Sequence, residues 1–387
     1  MKRVLVIADD LSGAAEIAGI GARFGLATHL LRDPPSEVPH VGLQVIDTES
    51  RLLLAADAAA TVGRFAQRLA ADDFDLVYKK TDSALRGHVV AEVEAIMKAL
   101  VFTSALLVPQ NPSRKRTIEN GIYRIDGIPL DQTAFANDPI HPARSADVLR
   151  MLGRPASQPI RCLAPDDDLP PDGITIGAAR TVEDVRRWAC LFAEKALTPT
   201  LSGSTGIGRK TILPVGGADF FQAILKAHGR CVTRSIIAAI SGYPRLFVCG
   251  SASHADLVAR ARAASASVCA MTETAAPSWH EQILSALETR GAAVAVVDLP
   301  IDRSSGASQR IELALAELVA AVLSRQRVEH LFLEGGATAS AVCRRMGWNE
   351  LEICGELATG VVQMRTAGGQ MLTVKPGSYP WPDTVWS

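Results

Sequence analysis

This sequence predicts an α/β protein of two domains, each a mostly parallel sheet flanked by helices. Short β-branched runs alternate with longer alanine-rich amphipathic segments along the whole chain, the pattern of strand and crossover helix. At 387 residues the chain exceeds the length at which one hydrophobic core usually stops growing. A stretch rich in Gly, Ser and Thr at 199–211 (PTLSGSTGIGRKT) interrupts the alternation near its middle, as linkers do.

In the first half the strand candidates are Arg3–Ala8, Ala27–Leu31, Leu43–Asp47, Leu76–Lys80, Ser104–Val108 and Gly173–Ile176. Between them lie helix candidates, notably Ser12–Phe24, Ala55–Ala71, His88–Leu100 and Val182–Lys195. A helical stretch, Ala218–Ala227, follows the interruption. A second α/β series opens near Arg245, with strands Leu246–Cys249, Ser267–Met271, Ala292–Val297, His330–Leu333, Val361–Met364 and Met371–Lys375. The boundary therefore falls between about 230 and 245, giving domains 1–235 and 236–387. No internal repeat of fixed period is present, which excludes solenoids and propellers.

Hydrophobic residues make up 48% and charged residues 21%, enough apolar material for a sizeable core and far from a disordered profile. The formal net charge of -1 gives no global reason to expect nucleic acid or an anionic membrane as partner. Seven cysteines are scattered without a C-x-x-C pair, so they read as reduced thiols. The apolar run after Met1 ends at Asp9, too short for a secretory segment, and a cytoplasmic address is expected.

Ligands of open α/β sheets bind beyond the carboxyl ends of strands, so post-strand residues matter most. Arg3–Ala8 runs into Asp9-Asp10, then Ser12-Gly13 at a helix start; Asp10 or Ser12 caps that helix, yet one cap uses only one carboxylate. Leu43–Asp47 leads to Arg51, and Leu76–Lys80 leads to Thr81, Asp82 and Ser83. On neighbouring parallel strands, Asp9, Arg51, Lys80, Asp82 and Ser83 converge and suit an anionic polyol: Arg51 forks onto a carboxylate while Asp82 and Ser83 take hydroxyls. After Ser104–Val108, Gly121, Gly127 and Pro129 mark turns, and Arg114, Lys115 and Arg116 offer contacts to phosphate oxygens.

In the second half, Leu246–Cys249 is followed by Gly250-Ser251-Ala252-Ser253, and His330–Leu333 by Glu334-Gly335-Gly336-Ala337-Thr338. A strand, a glycine turn and a helix N-terminus together form an anion site, and two of them in one domain point to a nucleotide. Gly203–Gly208 mimics a P-loop but fails it, because Arg209 stands where the lysine belongs. No G-x-G-x-x-G follows the first strand, which argues against a dinucleotide-dependent oxidoreductase.

Taken together and in order, IADDLSGA (Ile7–Ala14), KTDSALRG (Lys80–Gly87), NPSRKRTIENGIYRIDGIPL (Asn111–Leu130), GSAS (Gly250–Ser253), EGGATA (Glu334–Ala339) and KPG (Lys375–Gly377) resemble the four-carbon acid sugar kinase family, formerly a domain of unknown function. The resemblance covers nearly the whole chain. It implies an N-terminal domain binding the acid sugar, a C-terminal domain binding ATP, and phosphoryl transfer in the cleft between them to the terminal hydroxyl of threonate, erythronate or 3-oxo-tetronate. It further implies acid-sugar contacts from Asp9, Arg51, Lys80, Thr81, Asp82 and Ser83, and ATP contacts from Ser251, Gly335, Gly336, Ala337, Thr338 and Gly377. Two departures stand out: Ala337 replaces an acidic residue common in the family's turn, and KPGSYPWPDTVW replaces a KPG-x-FG segment. The second leaves open whether Tyr379, Trp381 and Trp386 line the adenine or cover the core.

Transfer to an alcohol needs positioned phosphates, Mg²⁺ and an acceptor for the hydroxyl proton. Asp9 and Asp82 both qualify as that acceptor, with Asp9 favoured because it ends the first strand. Ala337 keeps a second reading in play, a catalytically weakened sugar-acid-binding or regulatory protein of the same fold.

Overall fold

The computed structural model describes residues 1–33, 41–69, 74–138, 140–153, 157–197, 211–233, 240, 242–250, 255–271, 278–298, 306–377 and 379–386. Two compact units emerge: residues 1–17 with 34–232, and residues 18–33 with 233–387.

The first unit is built on β1 (Arg3–Ala8), β3 (Gly42–Asp47), β4 (Leu76–Lys80), β5 (Ser104–Val108), β9 (Ile160–Leu163), β10 (Gly173–Gly177) and β11 (Ile212–Gly216). They pair in the order β3-β1-β4-β11-β5-β10-β9, every ladder parallel. Central strands such as VLVIA in β1 are buried throughout, which is why they read as continuous apolar runs rather than alternating ones. The helices are α1 (Leu11–Arg23), whose second half counts with the other unit, α2 (Ala55–Arg68), α3 (Val89–Leu100), α4 (Val148–Met151), α5 (Val182–Leu197) and α6 (Ala218–Ala227). On α2 the buried positions Ala58, Val62 and Ala66 recur every four residues, one stripe facing inward. A small antiparallel sheet, β6 (Arg116–Glu119), β7 (Ile122–Ile125) and β8 (Ile128–Pro129), rises after β5.

The second unit contains β2 (Thr28–Leu31), β12 (Arg245–Cys249), β13 (Ser267–Met271), β14 (Ala292–Val297), β15 (His330–Glu334), β16 (Glu350–Ala358), β17 (Val361–Thr366) and β18 (Met371–Lys375), in the order β13-β14-β12-β15-β18-β17-β16-β2. The first five of these neighbours are parallel; β17 reverses against both β18 and β16, and β2 reverses against β16. Its remaining helices are α7 (Ala255–Ala263), α8 (Trp279–Arg290), α9 (Ala307–Arg325) and α10 (Gly336–Met346).

A single cut near residue 235 therefore misplaces residues 18–33. The physical reason is hydrogen bonding: β2 pairs with β16, three hundred residues on, and Arg23 ion-pairs with Glu356 at 3.0 Å. The sequence reading also overlooked β11, because Pro214 and Gly216 argue against a central strand. The ladder to β4 accommodates this by using only Val215 and Gly216, past the proline. The P-loop look-alike lies outside the described residues.

Candidate active site

At the carboxyl end of β1, Ala8 pairs with Asp47 of β3 on one side and Lys80 of β4 on the other. The three following loops thus start at one height, where open α/β sheets hold ligands. Local bonds fasten them together. Thr48 donates from N and Oγ1 to the Ala8 carbonyl (3.0 and 2.8 Å), Arg51 N donates to the Asp9 carbonyl at 3.2 Å, and Thr81 N donates to the Gly216 carbonyl at 3.1 Å.

Arg51 sits among three carboxylates. Its Nε and Nη2 donate to Asp9 (2.7 and 3.1 Å), its Nη1 and Nη2 to Asp10 (2.8 and 2.7 Å), and Nη1 lies 3.9 Å from Asp82. This revises the expectation that the Arg51 fork is open to a substrate carboxylate, because both edges of the guanidinium already hold carboxylates in bidentate geometry. Asp10, not Ser12, caps α1: Gly13 N donates to Asp10 Oδ1 at 2.9 Å, and the Ser12 hydroxyl donates to Asp10 Oδ2. Asp82 is gripped by Arg86 through Nε and Nη2 (3.0 and 2.9 Å) and by the Ala84 N–H at 3.0 Å, while Arg86 Nη1 reaches Asp138 at 3.2 Å.

Burial alone would raise the Asp9 carboxyl, but Arg51, Lys79 and Lys80 outweigh it and hold its pKa below the ordinary 3.8. For Asp82 burial is again the largest single influence, overcome by Arg86, Arg51 and Lys80, so its pKa falls far below that value. Both are carboxylates at physiological pH. Burial is the largest single influence on Arg51 and would lower its pKa, but Asp10, Asp9 and Asp82 together hold it well above its usual range.

Behind this cluster β4 carries two adjacent buried lysines. Lys79 Nζ pairs with Glu92 Oε2 of α3 at 2.7 Å, and Lys80 Nζ lies 3.5 Å from Glu16 of α1. Glu92 also accepts from the Ser50 hydroxyl at 2.7 Å, and Ser50 in turn meets the Thr48 hydroxyl at 2.8 Å. The turn that carries Arg51 is therefore braced from inside the core. On the open side, Arg116 of β6 donates to the Ser83 hydroxyl, the Tyr123 hydroxyl donates to the Ser83 carbonyl, and His141 Nε2 lies 3.0 Å from the Arg51 carbonyl.

In the second unit Cys249 pairs with Glu334, and Glu334 with Lys375, so the turns after β12, β15 and β18 also leave at one height. Gly335 adopts φ 97° and ψ 132°, a region closed to side-chain-bearing residues, and its N–H donates to the Lys375 carbonyl at 2.9 Å. Among the described residues, the N–H groups of Gly336, Ala337 and Thr338 at the head of α10 have no backbone acceptor, and the helix closes its first turn with Ala339 N to the Gly335 carbonyl at 3.0 Å. A Cβ on Gly250 would collide with the Thr338 hydroxyl, so these two turns touch. Gly377 is exposed just beyond β18, and Ser251 lies outside the described residues.

The aromatic tail resolves in part. Trp381 is 3% exposed, packs edge-on against Phe247 and Phe332, and donates from Nε1 to Glu334 at 2.8 Å; Glu334 also pairs with Lys375 at 3.0 Å. Trp386 stacks on Phe247 with centroids 4.5 Å apart. Both tryptophans cover the core.

Asp9, Arg51, Lys80, Thr81, Asp82 and Ser83 thus come together on one unit, and Gly335, Gly336, Ala337 and Thr338 form one turn on the other. Sequence reasoning gave no role to Arg86, Glu16 or the Lys79–Glu92 pair. A visible signal existed: two lysines inside an apolar strand, and a glutamate on the buried stripe of α3 with Val89, Val93 and Ile96. Among the described residues, no group of three or more His, Cys, Asp or Glu side chains is arranged to hold a metal ion, and no helix is long and apolar enough to cross a membrane.

Comparison with known proteins assigns residues 4–189 to the family described as sugar-binding N-terminal domain and residues 244–379 to the nucleotide-binding C-terminal domain. Relatives with these two domains are kinases of four-carbon acid sugars, so the chain is a phosphotransferase with an alcohol acceptor. Among characterised relatives, D-threonate kinase of Salmonella typhimurium is 26% identical over 92% of this chain and 89% of its own length, and 3-oxo-tetronate kinase of Methylobacterium radiotolerans is 25% identical over 97% and 96%. D-threonate kinase of Bordetella bronchiseptica is 35% identical over a segment covering 38% of each protein. The chain belongs to the four-carbon acid sugar kinase family. A Haemophilus influenzae protein of a domain-of-unknown-function family shares the fold, with a TM-score of 0.70 at 21% identity over 98% of both chains.

Proposed function

We propose that this protein uses ATP to phosphorylate the terminal hydroxyl of a four-carbon acid sugar, of the threonate, erythronate or 3-oxo-tetronate kind. The observation that carries the reading is the part-buried cluster of Asp9, Asp10, Arg51 and Asp82 at the joined ends of β1, β3 and β4, on the part of the chain that matches a sugar-binding domain. Fixed carboxylates are suitable acceptors for a row of hydroxyls, and the acid lies against Asp9, Arg51 and Lys80 to Ser83. The N–H groups of Gly336, Ala337 and Thr338 receive the phosphates of ATP, with Gly250 beside Thr338 and Gly377 as a further contact. Donation by backbone makes the missing acidic side chain at Ala337 dispensable for this contact. Mg²⁺ arrives with ATP as part of the substrate, held by phosphate oxygens and water, which suits a chain whose clustered aspartates are already paired with arginine. ATP as co-substrate places the reaction in the cytoplasm.

Asp9 is the proton acceptor in this scheme. Each Asp9 oxygen accepts one bond, from Arg51, whereas Asp82 Oδ2 alone accepts from the Ala84 and Arg86 backbone and from Arg86 Nε. Its low pKa suits a loose transition state, in which the hydroxyl is oriented first and surrenders its proton late. The test is a screen of D-threonate, D-erythronate and 3-oxo-tetronate with ATP, scoring phosphorylated product by mass. Asp9→Asn should lower kcat by roughly 10²–10⁴ with acid and ATP affinities within a fewfold. Turnover of none of the three acids, or an unchanged kcat in the variant, overturns the assignment.

A further inference from the structure

The cations around Asp82 and Ser83 differ in one respect. Arg51 faces Asp9 and Asp10, Lys80 faces Glu16, and Arg86 faces Asp82 and Asp138. Arg116 alone among these four has no carboxylate partner among the described residues; its Nη1 donates to the neutral Ser83 hydroxyl. Its guanidinium also lies over the Phe135 ring, 5.6 Å from the centroid, and the same ring carries Arg86 at 5.4 Å.

Phe135 is itself fixed. Its N–H donates to the Thr133 hydroxyl at 3.3 Å, which donates to the Leu130 carbonyl at 2.7 Å. Ser83 is held from the other side by the Tyr123 hydroxyl, and β6 and β7 are one hairpin, so Arg116 and Tyr123 approach Ser83 together. A half-buried guanidinium pinned by a ring and a hydroxyl, with no anion on it, is a preformed receptor for a planar anion.

We propose that Arg116 receives the carboxylate of the acid sugar and sets the preference for an acid over a neutral polyol. The inference rests on the sugar-acid reading of this unit but not on turnover. It gives the role expected of Arg51 to a residue whose fork is open, and leaves Arg51 to hold Asp9 and Asp10 in register beneath the hydroxyls. A surface loop sequence, SRKR, thereby contributes one contact to the acid rather than three to phosphate; Lys115 is 79% exposed and pairs with Asp126.

The test compares acids with uncharged polyols of the same length. For wild type, Arg116→Gln and Arg116→Lys, kcat/KM is measured with D-threonate and D-erythronate, then with threitol and erythritol, and each acid is titrated calorimetrically without ATP. Arg116→Gln should lower kcat/KM for the preferred acid by roughly 30-fold or more and for its polyol by less than about threefold, with ATP KM unchanged; Arg116→Lys should recover part of the loss. A purely structural role would lower acid and polyol alike, and a phosphate contact would raise ATP KM; either result overturns the proposal, as does full activity of Arg116→Gln on the acid. If wild type binds an acid without turning it over and Arg116→Gln no longer binds it, the kinase reading fails and this one stands. Binding of neither of these acids nor of 3-oxo-tetronate by wild type sinks both.

Discussion

The strand-end regions of the two units are made of different material. In the first unit the groups at the strand ends are side chains, ionised and interlocked, each held by another: Lys79 and Glu92 brace Ser50, Ser50 the turn of Arg51, and Arg51 the aspartates. In the second unit they are main-chain N–H groups, aimed by one glycine and backed by an aromatic core of Phe247, Phe332 and Trp381. A sugar acid has stereochemistry to be read, which demands several side chains at fixed positions; a phosphate presents similar oxygens in every direction, which a helix head satisfies. The side-chain site should be sensitive to loss of charge, and the main-chain site to a change of dihedral.

The largest contrast should come from Gly335→Val. A β-branched residue cannot hold φ 97° with ψ 132°, so the turn reorganises and ATP affinity should fall by roughly 100-fold or more, while calorimetry still detects acid binding. Gly336, by contrast, is the first residue of α10 and is not in the left-handed region. Equal loss of acid binding in Gly335→Val would show that the two regions are not independent.

A charge-only change should mark the first unit instead. Glu92→Gln leaves Lys79, 0% exposed, with a buried and uncompensated charge, and should cost about 3 kcal/mol of stability measured by urea unfolding. Pairing this with Lys79→Met should recover much of the loss, because removing both charges is far cheaper than removing one. Failure of the double variant to recover would mean that Glu92 acts through Ser50 alone.

The smallest effect separates the units by pH. Asp9 and Asp82 titrate below 3.8, so they stabilise the first unit at every pH above that value, and the contribution is lost only as pH falls beneath it. His330 behaves otherwise: burial, then Arg245, lower its pKa from 6.5 to about 4, so the stability it contributes is complete above 6.5 and drains away between 6.5 and 4. The span corresponds to about 3 kcal/mol at most. Four of the five tryptophans (279, 348, 381 and 386) lie in the second unit, so the melting midpoint followed by their emission should drop between pH 6.5 and 4.5. His330→Gln should flatten that decline. A wild-type midpoint constant over this range would remove the distinction.

The fold was legible because the alternation of apolar runs and amphipathic segments survives nearly everywhere; it failed at β11, where Pro214 disguised a central strand, whereas β2 was foreseen as a strand and only its partner β16, remote in sequence, was not. Which residues gather at the strand ends was legible where they lie within two positions of a strand, as with Asp9, Asp82 and Gly335. Pairing was not. Strand order decides that Arg51 meets Asp9 and Asp10, and nothing local to TESR announces it. Arg116 lies on a hairpin whose turns were foreseen but whose direction of approach was not.

The path of residues 18–33 has a practical consequence for anyone dissecting this protein. Because α1 starts among the first unit's strands and runs into the segment that ends in β2, no single scission yields two complete bodies. A fragment ending near 232 would carry β2 stripped of β16, leaving the backbone groups of THLL on that side without their ladder, an invitation to edge-to-edge association. The complementary fragment would present the matching bare edge of β16. Mixed in solution, the two pieces have a strand to share, so cut halves should reassemble and single-domain preparations should self-associate.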